Sequence, residues 1–153
     1  MTTAPIEQVI SAVRFLADFP TAIGRMAFSE LGGINSKVAS SEYIYNDHVG
    51  ATVHSKQFGK TDPPTVVLRR ALDRTGNNKL LAWHDAARRG LSGARADGRL
   101  TITDPSGQTK VVYFIDNAWI SELSITQMKA GSSEVAMIEI KLTCDAISSG
   151  EKQ

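Results

Sequence analysis

The stretch Val66–Gly90, VVLRRALDRTGNNKLLAWHDAARRG, changes its periodicity halfway along. Val66-Val67-Leu68, with Arg69 and Arg70 behind it, reads as a β-strand, which we place over Pro64–Leu72. Beyond it, Leu80, Trp83 and Ala87 recur at three and four residues and share one face, with Leu81 beside them, as in an amphipathic helix. Asn77 or Asn78 supplies the N-cap in this reading. Arg88 and Arg89 complement the C-terminal dipole, and Gly90 ends the helix. Every other periodic segment reads as strand. One short helix among strands can carry a catalytic site, read a groove or cover open sheet, and the flanking sequence decides among these.

On the N-terminal side, Val9–Ala17 reads as a first strand with a turn at Asp18-Phe19-Pro20. Ile23–Glu30 and Ile34–Tyr45 read as two further strands, with Gly32-Gly33 forming a tight hairpin between them. Asn46–Pro64 contains Gly50, Gly59 and Pro63-Pro64 and reads as a long loop with a short strand at Ala51–Lys56. On the C-terminal side, Arg99–Thr103 and Lys110–Leu123 read as strands flanking a turn at Asp104–Gly107. The last strand alternates most cleanly. Ala136, Ile138, Ile140, Leu142 and Cys144 face one way, and Glu139, Lys141, Thr143 and Asp145 the other. Met1–Glu7 and Ser148–Gln153 are small and polar, as loose ends are. The expected fold class is mainly β with one α-helix: a small antiparallel β-barrel or sandwich with a flanking helix. It forms one domain over residues 1–153 with a core spanning about 9–147.

Composition and motifs argue against chemistry. Hydrophobic residues make up 42% and charged residues 22% of the 153, and the net charge of +1 gives no global attraction to nucleic acid or an anionic membrane. No apolar run approaches the roughly 20 residues of a membrane span, and the N-terminus lacks the pattern of a signal peptide, so synthesis in the cytoplasm is expected. Cys144 is the one cysteine, which leaves no internal disulfide, and its apolar face marks it as inert core. Gly59-Lys60-Thr61 resembles the tail of a phosphate loop, but His54 stands where its first glycine belongs. Ser92 in GLSGA misses a nucleophile elbow because Ala94 replaces the second glycine. His48 and His54 share the irregular segment without metal-ligand spacing, and His84 is placed on the exposed side of the helix. Arg69, Arg70 and Arg74 form a small basic cluster, without aromatic interleaving, read as an interface. No catalytic residue, metal site or cofactor is expected.

An antiparallel domain with long strands has edges to hide, and pairing them with other copies is one way to do so. Here the residues resemble a known family. The run from Val66 to Gly90 is similar to the central signature of the tail-tube (inner tube) proteins of contractile bacteriophages and related contractile injection systems. That signature is an apolar strand ending in Leu and two basic residues, then a helix with a Leu-x-x-Trp core. VRFLADF from Val13, FSELGGI from Phe28, YFIDNAWISEL from Tyr113 and EVAMIEIKLTCDAI from Glu134 resemble further segments in the family's order, so the likeness spans about Val9 to Ile147. Ala71, Ile120 and Cys144-Asp145 depart from residues common among relatives.

The resemblance implies a structural protein, not an enzyme. Its homo-hexameric rings would join strands into one inner barrel and stack into a hollow conduit. A surrounding sheath would drive that conduit through a target envelope. Partners implied are further copies, the sheath, a baseplate or spike, a tube terminator and a cargo of protein effector or DNA, with no membrane in the resting state. Leu80, Trp83 and Ala87 would pack the helix on the barrel. Asn46, His48, His54, Lys60 and Asp62 are candidates for contacts between subunits or rings, and INSKVASSEY from Ile34 is a candidate lumen wall. The chain carries no extension of the kind expected of a baseplate tube-initiator, so the main tube is favoured over it and over a type VI-like secreted ring protein. The rival from another class is a monomeric β-barrel binding a ligand or single-stranded nucleic acid.

Overall fold

The computed structural model describes residues 14–46, 50, 52–131 and 133–150, with the side chains of 41–58 outside the description. Among these residues the order is β1 (Arg14–Phe19), β2 (Gly24–Phe28), β3 (Glu30–Asn46), β4 (Thr52–Ala71), α1 (Arg74–Arg88), β5 (Ala96–Thr103), β6 (Thr109–Ile125), β7 (Met137–Thr143) and β8 (Ala146–Gly150). A 3-10 turn at Ser92–Ala94 links α1 to β5. All pairings are antiparallel, and the hydrogen-bonded path runs β2-β1-β5-β6-β7-β4-β3 with β8 also on β6. The path does not close on itself. β6 serves two sheets: Thr109–Ala118 pairs with β5 and partly with β8, and Trp119–Ile125 pairs with β7. The first sheet therefore holds β2, β1, β5 and β8, and the second holds β3, β4 and β7. This is the expected mainly antiparallel β class with a flanking helix, in its sandwich form.

Alternation decides what is buried. Ile138, Ile140 and Leu142 of β7 are inside, while Glu139, Lys141 and Thr143 between them are half-exposed. Val66 and Leu68 of β4 meet them, and Phe19, Phe28 and Leu100 close the core from the first sheet. On α1, Gly76, Leu80 and Trp83 form the buried stripe. Trp83 lies with its ring centroid 5.1 Å from that of Phe19, tilted by 48°, and its indole N–H donates to the Ala94 carbonyl at 2.6 Å. Burying one such large apolar side chain stabilises by about 1.5–3 kcal/mol, which outweighs the indifferent helix propensity of the Thr75-Gly76-Asn77-Asn78 turn.

Several expectations are corrected. The helix starts before the asparagines: Asp73 is the N-cap, and its Oδ1 accepts from the Gly76 amide at 2.7 Å. Gly32-Gly33 makes no hairpin. The pair lies inside β3, where the register with β4 shifts between Leu31 and Gly33, and Gly33 takes φ +147°. Glycine suits a bulge for the same reason that it suits a turn. The chain instead breaks at Ser29, whose amide and hydroxyl both donate to the Arg69 carbonyl. Consequently Glu30 opens β3 rather than closing β2. The turn after β1 is Pro20–Ile23.

The largest correction concerns Asn46–Pro64. Thr52 to Pro64 is strand, paired with β3 from Asn46↔Thr52 to Lys37↔Asp62. Because β4 pairs with β7 only from Thr65 to Ala71, residues 37–46 and 52–62 leave the second sheet as a two-stranded ribbon. Ten residues at about 3.3 Å each carry the ribbon roughly 30 Å beyond the body. Ser148–Gly150, expected to be loose, pair with Val112–Phe114. Residues Met1–Val13 and Glu151–Gln153, which hold the other segments expected to be loose and the start of the first expected strand, lie outside the described residues.

Candidate functional site: a polar wall with two open edges

One face of the second sheet packs on the core; the other presents polar side chains in cross-strand rows. In the first row Glu30, Arg69, Glu139 and Ser124 stand abreast on β3, β4, β7 and β6. Arg69 Nε donates to Glu139 at 2.6 Å and its Nη1 to Glu30 at 3.4 Å. The hydrogen bond to Glu139 leads, and Glu30 adds to it, in raising the already high pKa of this guanidinium. The next row holds Gly33, Val67, Lys141 and Glu122. In the third, Thr143 Oγ1 donates to Ser121 Oγ at 2.7 Å, and Ser121 Oγ to the Lys141 carbonyl at 3.1 Å. Signs alternate along and between rows, so the wall is hydrated and near charge balance.

Among the described residues both margins of this sheet are open. β3 ends the strand path there, so its outer edge has no described strand partner over 17 residues. On β6 the side away from β7 is occupied as far as Ile120, whose carbonyl meets His84 Nδ1 at 2.8 Å. From Ser121 to Ile125 no strand lies on that side among the described residues. His84, expected on the exposed side of the helix, is therefore half-buried and ties α1 to the β6 edge. The turn from one sheet to the other is held at Asn117, with φ +51°. Its amide donates to Asp97 Oδ1 and its side-chain amide to Asp145 Oδ2, both at 2.8 Å. Next to it, the Arg95 guanidinium stacks 4.8 Å above the Trp119 ring.

The residues singled out in the sequence are distributed as follows. Leu80 and Trp83 are buried and Ala87 is half-buried on the helix flank facing β6. Asn46, His54, Lys60 and Asp62 all belong to the ribbon, Lys60 and Asp62 exposed, whereas His48 lies outside the described residues. Arg69, Arg70 and Arg74 are not brought to one face: strand alternation separates Arg69 from Arg70, and Arg74 lies on α1. Arg69 faces the polar wall, while Arg70 turns inward to Asp73 at 3.1 Å and over the Phe28 ring at 6.0 Å. Arg74 is exposed on the first turn of α1. Of the candidate lumen segment, Asn35–Val38 and Ser40 are exposed and Ile34 packs against the core. Cys144 is fully buried, and burial, then Asp145 and Asp116, push its thiol from 9.0 up to about 11. Among the described residues no group of three or more His, Cys, Asp or Glu side chains converges as metal ligands.

The sequence model of the T4-like virus tail tube protein gp19 matches residues 11–148. The chain belongs to this tail-tube family. As a member it is a structural subunit of a tube. No curated protein matches it. Solved structures share the tail-tube fold. A chain of the PVC sheath–tube complex, an extracellular contractile injection system in its extended state, has TM-score 0.70 at 19% identity, covering 98% of both chains. The tube-terminating cap of the anti-feeding prophage (AFP) has TM-score 0.72 at 21% identity, covering 94% of this chain and 92% of that one. A chain of the AFP baseplate, 6-fold symmetrised, has TM-score 0.64 at 15% identity, covering 97% of both. Among the described residues no helix is long and apolar enough to cross a membrane.

Nothing in the sequence pattern alone marks Glu30 or the end of β6 as important. The one available signal was the Asp116-Asn117-Ala118 interruption of an otherwise apolar strand.

Proposed function

We propose that six copies of this chain close a ring by pairing the open end of β6 on one copy with β3 of the next, and that the rings stack into the main inner tube of a phage tail or contractile injection particle. The observation that carries this reading is a four-stranded wall, polar on one face, apolar on the other and open at both margins, in a tail-tube chain. Edge pairing around a closed ring removes both margins at once. The polar face, with Glu30, Arg69, Glu139 and Lys141, then lines the lumen, and the first sheet with α1 lies outside it. Leu80, Trp83 and Ala87 serve to seat the helix on the sandwich, and they perform no chemistry.

The ribbon, with Asn46, His54, Lys60 and Asp62, reaches from one ring to the next, and His48 belongs with it by sequence. The arginines act singly: Arg69 on the wall, Arg70 in bracing the helix start, Arg74 at the surface. Residues 1–153 act as a single domain. The likeness to sheath–tube, cap and baseplate chains supports a sheath around the tube, a terminator at one end and a baseplate at the other. A protein effector or DNA is the cargo, the chain is made in the cytoplasm, and no cofactor or enzymatic step takes part. Negative-stain electron microscopy of the purified protein, with size-exclusion chromatography, tests the reading. Six-fold rings or hollow tubes support it. A strict monomer that tightly binds a ligand or oligonucleotide overturns it in favour of the binding-barrel alternative.

A further inference from the structure

Along an antiparallel strand, residues that bond the partner alternate with residues whose N–H and C=O turn away from it. On β6 the Thr126 amide donates to the Met137 carbonyl, so the alternation turns the backbones of Ile125 and Leu123 to the open margin. Beyond the register shift between Ile120 and Glu122, the Ile120 carbonyl points the same way, toward His84. Further back, Ala118 is paired with Ala96 of β5. On β4 the Cys144 amide donates to the Pro64 carbonyl, which places Pro64 toward β7 and turns Thr65, Val67 and Arg69 toward β3. Their partners there are Asn35, Gly33 and Glu30, so Leu31 and Ile34 face outward. Beside the body of the subunit, the two margins therefore offer Leu31 and Ile34 on one side and Leu123 and Ile125 on the other.

A seam this short does not fix its own register. Sliding by one ladder step leaves every side chain on its own face, so burial does not forbid it. In one direction the slide runs off the end of β6 at Ile125; in the other it reaches Ile120. There the carbonyl is already taken. His84 Nδ1 lies 2.8 Å from it, and because a carbonyl oxygen only accepts, Nδ1 carries the hydrogen. The imidazole is half-buried on a helix seated by Leu80 and Trp83, which holds it against the strand.

We infer that His84 is a positioning residue for assembly: by capping the Ile120 carbonyl it fixes the register at which β3 of a second copy pairs with β6. That role rests on the ring reading above and supplies what lets the ring close. A seam slipped by one step displaces neighbours by roughly 7 Å along the strand. A head-to-tail contact displaced in this way winds into an open helix instead of returning to its start.

The test uses the full-length chain with His84→Ala, which removes the donor, and with His84→Asn, whose amide nitrogen can occupy the Nδ1 position. Electron microscopy counts closed six-fold rings against open or helical assemblies, and circular dichroism with thermal melting establishes that the variants fold. The expected result is at least a tenfold fall in the ratio of closed to open assemblies for His84→Ala, with His84→Asn restored toward the parent. A purely structural role would lower the melting temperature and leave that ratio unchanged. The parent ratio from folded His84→Ala overturns the inference. Equal loss of closure in both variants overturns it too, by assigning the effect to the ring of the side chain and not to its hydrogen bond. A second measurement needs no variant: the Leu123 and Ile125 amides of the parent should exchange hydrogen at least tenfold more slowly in rings than in the dilute subunit. Equal exchange overturns the inference by removing β6 from the seam, and leaves the rings to close elsewhere. A parent that forms no rings removes the ring reading itself, and the inference with it.

Discussion

Replacing Trp83 tests how the helix is held. Its side chain is 5% exposed, packs at a tilt against Phe19 and donates to the Ala94 carbonyl at 2.6 Å. Trp83→Phe keeps most of the ring volume but removes the indole N–H, and the Ala94 carbonyl loses its partner in a buried setting. An unsatisfied buried acceptor costs about 1–3 kcal/mol, so about 2 kcal/mol is expected here. Trp83→Ala also opens a cavity between α1 and β1, and truncations of this kind cost about 3–5 kcal/mol. For a domain of this size each kcal/mol lowers Tm by about 2–4 °C. The phenylalanine variant should therefore melt about 4–8 °C below the parent, and the alanine variant should melt lower still. Urea unfolding followed by circular dichroism at low protein concentration isolates the fold from assembly. Equal stability of the phenylalanine variant and the parent would refute the hydrogen-bond argument. A loss below about 1 kcal/mol for the alanine variant would refute the packing argument as well.

Other substitutions probe separate elements. Gly98 has no room for a side chain: a Cβ there would lie 2.5 Å from the Asp18 carbonyl oxygen and press on the Phe19 ring. Gly98→Ala should cost about 1–3 kcal/mol by forcing β1 and β5 apart, measured by chemical unfolding. Asp73→Ala removes the cap of α1 and should cost about 1 kcal/mol in the same assay. Asn117→Ala should lose about 1–2 kcal/mol from its φ of +51°. Asn117→Gly relieves that strain but still forgoes the bond to Asp145, and should fall between alanine and parent. Cys144 supplies a pH dependence. Its thiol titrates near 11 in the folded chain against 9.0 when unconstrained, so the folded state holds its proton more firmly. Its contribution to stability is complete below pH 9 and is lost as pH rises from about 9 through 11. Cys144→Ala should flatten unfolding free energy across that window, and thiol labelling of the native chain at pH 8 should be far slower than of the urea-unfolded chain.

The amount of this structure legible in the sequence depended on periodicity. α1 and β7 announce themselves because one face of each is buried throughout, so Leu80 and Trp83, or Ile138, Ile140 and Leu142, recur at the interval of their element. The ribbon hid because Gly59, Pro63 and Pro64 look like loop residues. They are tolerated in β4 where its pairing is irregular: register shifts occur between Asn35 and Lys37 and between Val38 and Ser40, and pairing with β7 begins only at Thr65. The Gly32-Gly33 pair misled for a related reason, since a turn and a bulge ask for the same backbone freedom. The open margins were not legible at all. An edge belongs to the order of strands, and β2 and β3, neighbours in sequence, stand at opposite ends of that order.

The bent strand β6 has a mechanical consequence. Among the described residues it is the one strand shared by both sheets, so a load on the polar wall passes into the first sheet along a covalent backbone and not only across side-chain contacts. The compliant point on that route is the Asn117 corner, clamped by Asp97 of β5 and by Asp145 in the link between β7 and β8. A thrust along the tube axis would thus be resisted in each subunit by a spring with one joint. That joint's stiffness is set by two hydrogen bonds at the protein surface.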